Sequence, residues 1–95
     1  MSTLSYPHIS LDPTICGGKP CIAGRRVRVM DVVIEHESHG SSPEEICRAF
    51  AGLTLAEVHA ALAYFYDHSE QIRQEIDDEL RAEEEFRNAN THRVI

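Results

Sequence analysis

Ser42-Pro43-Glu44-Glu45-Ile46-Cys47-Arg48-Ala49-Phe50-Ala51-Gly52-Leu53-Thr54-Leu55-Ala56-Glu57 holds two helix starts set twelve positions apart. Ser42 and Thr54 are each followed three positions on by a glutamate. In that pattern the hydroxyl accepts from the third helical N–H while the carboxylate reaches back to the N–H of the cap residue. Pro43 suits a first turn, where its missing N–H would have had no partner anyway. Ile46, Cys47 and Phe50 supply the buried side of a short helix, and Gly52 ends it in the left-handed conformation a glycine adopts most easily. Val58, Ala61, Leu62 and Phe65 carry the longer helix that follows. With only Ala51-Gly52-Leu53 between them, the two helices must cross over a tight bend. Met30, Val32, Val33 and Ile34 predict an earlier helix running to about Ser38 and stopped by Gly40. Together the three have the dimensions of a helix-turn-helix domain, although a packing corner used for nothing but burial has the same spacing.

Working upstream, His8-Ile9-Ser10 reads as a short strand and Leu11-Asp12-Pro13-Thr14 as a turn. Gly17 and Gly18 permit positive φ, Pro20 cannot donate to a ladder, and Gly24 makes a turn between Cys21-Ile22 and the stretch Val27-Arg28-Val29. The result is a hairpin in which Lys19, Arg25, Arg26 and Arg28 stand together without an intervening acid. Such a cluster holds a polyanion or pairs with the chain's own carboxylates.

Downstream, Asp67-His68-Ser69-Glu70 offers another cap and break, dividing the chain into a 1–67 domain and a 68–95 helix and tail. Ile72, Ile76, Leu80 and Phe86 fall on one stripe of that last helix, and Glu75, Asp78, Glu79, Glu83 and Glu85 are assigned to the opposite side. The stripe requires a cover, either this chain's own body, a second copy or another protein.

The chain has 95 residues and a net charge of −7, which is unevenly spread: residues 67–95 carry nine acids against four arginines, whereas residues 1–40 are balanced. Nucleic-acid contact therefore falls to the front of the chain. One small domain of this size gains from dimerisation. No apolar run approaches a membrane span and the first residues do not resemble a signal sequence, so the expected location is cytoplasmic. Cys16, Cys21 and Cys47 are odd in number and lack Cys-x-x-Cys spacing, which points to reduced thiols. His36 and His39 are two ligands short of a metal site. The Gly-Gly-Lys-Pro stretch lacks the ending of a phosphate loop, and neither His59 nor the thiols have a catalytic companion. No enzyme, cofactor, metal, membrane or small-molecule substrate is expected.

Three stretches occurring in order, residues 17–29, 40–46 and 53–64, resemble the small prokaryotic proteins of domain of unknown function 433; the likeness covers about residues 8–72. It implies a mainly α fold, with an N-terminal short β-hairpin, a homeodomain-like three-helix helix-turn-helix unit and a C-terminal amphipathic helix. It also implies an antitoxin-like role, similar to VapB-type proteins, against a PIN-like ribonuclease toxin. The family's turns fall on Gly17, Gly18, Pro20, Gly24 and Arg26, with Arg25 where the family commonly has Thr. The helix-turn-helix falls on residues 43–50 and 54–66, so that Thr54 and His59 lie on the helix offered to a major groove. That helix starts without an arginine or lysine to read a guanine edge. Phosphate contact through Lys19, Arg25, Arg26 and Arg28 is the DNA mode the residues favour. On the toxin side, Ile72, Ile76, Leu80 and Phe86 would lie on the nuclease, and Arg87 or Arg93 would enter its acidic centre. The alternative is a dimeric interaction module with no DNA-binding role.

Overall fold

The computed structural model describes residues 6–94, with side chains as far as residue 89. Two short strands, β1 (Ile9–Ser10) and β2 (Cys21–Ile22), precede four helices: α1 (Val29–Val33), α2 (Pro43–Ala49), α3 (Leu55–Asp67) and α4 (Ser69–Val94). A 3-10 turn at Cys16–Gly18 lies between the strands, and α1 widens into a π-helical turn at Ile34–Ser38. The chain is therefore mainly helical with an antiparallel hairpin at its front, the class its sequence predicts.

The hairpin's partner strand differs from the expected one. β2 pairs with β1, Ile9 opposite Ile22 and Ser10 opposite Cys21, while the 27–29 side keeps only a single bridge, Cys21 to Arg28. The reason is that a helix begins where the strand would continue. Val29 donates its N–H to the Pro20 carbonyl at 2.9 Å, and the Asp31 carboxylate then accepts from the Arg28 N–H at 3.0 Å, capping α1. Gly24, at φ 79°, and Arg26, at φ 60°, turn the chain just before this point. Glycine adopts that backbone freely, whereas for Arg26 it costs about 1 kcal/mol.

Both capping boxes form. Ser42 Oγ accepts from the Glu45 N–H at 3.2 Å and the Glu45 carboxylate accepts from the Ser42 N–H at 2.7 Å; the corresponding Thr54 and Glu57 distances are 3.1 and 2.9 Å. Between these starts Gly52 sits at φ 98°. α2 and α3 thus meet across the bend that the sequence requires.

α1 is short and apolar except for Asp31: Val29, Met30, Val32 and Val33 are all buried. It is wedged between α3 and the first turns of α4, which accounts for the burial of all four apolar side chains. Phe65, Val58 and Ala61 from α3, Ile46 from α2 and Ile22 from β2 complete the core. Burying a side chain the size of Phe65 contributes roughly 2–3 kcal/mol. At the α3–α4 corner the His68 ring stacks on Tyr64 at 4.1 Å, and Tyr6 packs edge-on against both. The Tyr6 hydroxyl donates to Asp67 at 3.0 Å, fastening the N-terminal segment to this corner.

α4 departs from the simple stripe. Ile72 is fully buried, which closes it to a partner, and Ile76 packs partly buried against the core. Glu79 does not lie opposite them as the sequence reading placed it. Seven residues are nearly two helical turns, which puts Glu79 about 20° from Ile72 on the inward side. There it meets Arg28. From Leu80 to Ala89 every residue is exposed. The helix is core for its first three turns and projects thereafter.

Candidate functional site

The basic stretch does not assemble into one patch. Arg28 lies at the start of α1, where its guanidinium is forked onto two carboxylates. Nε and Nη2 donate to Asp31 at 3.1 and 2.8 Å, and Nη1 and Nη2 donate to Glu79 at 2.8 and 3.0 Å. This arrangement pushes the arginine's proton affinity up through Glu79 and Asp31, and holds the Glu79 carboxyl below the usual carboxylate range. Arg28 is a fastener between α1 and α4, with its guanidinium occupied by Asp31 and Glu79. Asp31, three residues away, was legible as a partner; Glu79, 51 residues away, was not.

Arg25 is carried by the Gly24 turn across the α2–α3 bend. Its Nη1 would stand 3.1 Å from a Cβ added at Gly52, and its Nε donates to Glu57 at 3.2 Å. Glu57 is the one buried charged residue among those described. One of its oxygens caps Thr54 and the other takes Arg25. The Thr54 backbone N–H, aided by Arg25, holds the Glu57 carboxyl below its ordinary range despite burial. Lys19 borders a groove with Glu75, Asp78, Glu79 and Ala82. Arg26 is exposed and, among the described residues, forms no salt bridge.

Because the folded-state values of Glu57 and Glu79 are depressed, their contribution is present above the unfolded carboxylate value of about 4.3 and is lost as pH falls through the folded values. Urea melts at descending pH therefore show stability falling below about pH 4.5. Glu57→Gln keeps the bond to the Thr54 N–H but drops the charge opposite Arg25. It costs about 0.5–1 kcal/mol at pH 7 and flattens the acid slope. A slope unchanged by the substitution would show that Glu57 carries none of it.

Thr54 is consumed as the cap of α3, which leaves His59 as the exposed polar side chain of that helix's outer face. Leu55, Ala56, Ala63 and Tyr66 are exposed beside it. Of the partner-binding candidates on α4, Leu80 is 56% and Phe86 69% exposed, in contrast to the buried Ile72. Arg87 lies in the same exposed stretch, and the side chain of Arg93 is outside the described residues. Gly17, Gly18, Gly24 and Gly52 all have positive φ, as turn residues do, and Pro20 is buried beside them. His36 donates from Nδ1 to the Ser41 carbonyl at 3.1 Å and His39 faces Glu35 at 3.2 Å, so these histidines serve the end of the first helix.

A strand pair fastened across the front of a bent helix pair, with a long helix leaving the body, defines a small helix-turn-helix-type domain. A family model described as protein of unknown function (DUF433) matches residues 9–65, more than half of the chain. The solved structure of a DUF433 member protein from Anabaena variabilis is 30% identical, with a TM-score of 0.65 over 74% of this chain and 68% of that one. The chain belongs to the DUF433 family. No curated protein is similar enough to match it. α4 begins beyond the matched residues. No helix among the described residues is long and apolar enough to cross a membrane.

Proposed function

We propose that this protein acts in the cytoplasm, without catalysis, as an antitoxin-like binder whose projecting half of α4 covers a PIN-like ribonuclease. The observation that carries this reading is the exposure of every residue from Leu80 to Ala89, two of them large and apolar. Residues 77–85 also hold six acids against Arg81. A nuclease that grips an RNA backbone presents a basic cleft, and an acidic helix with an apolar edge suits such a surface. Arg87, near the end of this stretch, is the candidate for pairing with carboxylates in the nuclease centre. The link to a ribonuclease itself comes from the family resemblance.

Operator binding has weaker support. Arg28 is committed to Asp31 and Glu79, Arg25 to Glu57, and the outer face of α3 carries no lysine or arginine. These pairings favour the reading of an interaction module with no DNA role, with any phosphate contact centred on Arg26.

The test uses full-length protein, because a fragment ending at Asp67 would lose the buried Ile72 and the Arg28–Glu79 fastening. Leu80→Ser/Phe86→Ser should melt like the parent, since both side chains are exposed. It should lose at least about tenfold in inhibition of the PIN-like ribonuclease that co-purifies from the native host. Undiminished inhibition by this variant would refute the proposal.

A further inference from the structure

We infer that the outer face of α3, the surface a helix-turn-helix protein would lay in a DNA groove, is instead where a second copy of this chain binds. Leu55 is 43% and Tyr66 62% exposed. Eleven residues are three helical turns plus about 20°, so these two groups stand on one line at opposite ends of the helix. Beside them lie the exposed His59, Ala56 and Ala63 and the half-buried Ala60, while Leu62, between them, belongs to the core. An antiparallel pairing about a two-fold axis sets Leu55 of each copy against Tyr66 of the other. The alanines beside that line allow the backbones to approach closely, so the surface is complementary to itself, as an isologous dimer requires.

Charge selects the occupant. In a chain of net charge −7, two copies repel wherever acids face one another. The exposed half of α4 carries Asp77, Asp78, Glu83, Glu84 and Glu85, the start of α2 carries Glu44 and Glu45, and the turn after α1 carries Glu35 and Glu37. From Leu55 to Tyr66 the α3 face exposes no carboxylate: Glu57 is turned inward onto Thr54 and Arg25, and the helix's other acid, Asp67, is its last residue and accepts from the Tyr6 hydroxyl. It is equally without lysine or arginine, which leaves nothing to attract a phosphate backbone. A neutral apolar strip on an acidic body fits a copy of itself better than it fits nucleic acid. The strip is one helix wide and about 16 Å long, smaller than a standard specific interface. Self-association should therefore be reversible, with a dissociation constant of about 1–100 μM.

Sedimentation velocity of the full chain from about 1 μM to 1 mM tests this directly across that range. The expected record is a monomer that converts to dimer with rising concentration, and conversion that does not weaken when salt is raised, since no ion pair holds the face together. Ala63→Glu, which places a carboxylate from each copy in the contact, and Tyr66→Ser, which removes an end anchor, should each weaken dimerisation at least about tenfold. Both positions are exposed, and circular dichroism establishes that the variants are folded. Leu80→Ser/Phe86→Ser should dimerise as the parent does, so this result stands or falls separately from ribonuclease binding. A monomer at every concentration, a dimer that survives both α3 variants, or one abolished by the α4 variant would overturn the inference.

Discussion

Ile72→Ala lowers the unfolding free energy by about 2–4 kcal/mol, the range for deleting a fully buried aliphatic side chain and leaving a partly relaxed cavity. Ile72 has no exposed surface and belongs to the cluster that includes Met30 and Phe65. For a domain this small, that is a large fraction of the total stability, and the loss should appear as a shift in urea midpoint with little change in slope. The substitution also loosens the root of α4. If the proposed function holds, ribonuclease inhibition should fall with it once the folded fraction becomes limiting, because Ile72 is buried within this chain's own core. An effect on inhibition without an effect on stability would place Ile72 at the interface and contradict its burial.

Arg28→Ala should cost about 1–2 kcal/mol. Its guanidinium makes four hydrogen bonds to Asp31 and Glu79, and its removal leaves those two carboxylates facing one another. The three side chains are a quarter to a third exposed, so water screens part of the loss and the value stays below that of a fully buried pair. Arg28→Lys recovers little, because an ammonium cannot fork onto both acids. A double-mutant cycle of Arg28→Ala with Glu79→Gln should return a coupling of at least about 0.5 kcal/mol. Coupling near zero would mean that apolar packing alone holds α4.

The helix starts were legible because a capping box is local: donor and acceptor are three residues apart, and nothing distant competes for them. Both formed as Ser42-Glu45 and Thr54-Glu57 predict. The bend at Gly52 and the fold class followed from that. The hairpin partner was less legible, since strands of two residues generate no period, and beyond the Cys21–Arg28 bridge the chain enters α1 one residue later, capped by Asp31.

Among site residues, Arg25 and Arg28 looked like free cations because their acids, Glu57 and Glu79, are 32 and 51 residues away. Sequence spacing carries no record of such pairings. The inward position of Glu79, by contrast, was readable from its offset of seven from Ile72. Grouping it with the outer acids overlooked that α4 changes its means of attachment along its length, from apolar burial at Ile72 to an ion pair at Glu79. The exposure of Leu80 and Phe86 follows from that change.

The central structural claim, that α4 passes from core element to partner surface near Glu79, is tested most directly by measuring the unfolding free energies of Ile72→Ala and Leu80→Ala side by side. Leu80→Ala should fall within about 0.5 kcal/mol of the parent, while Ile72→Ala loses the several-fold larger amount given above. Comparable losses at the two positions would mean that Leu80 is packed against the body, and that α4 does not offer the surface on which the proposed function depends.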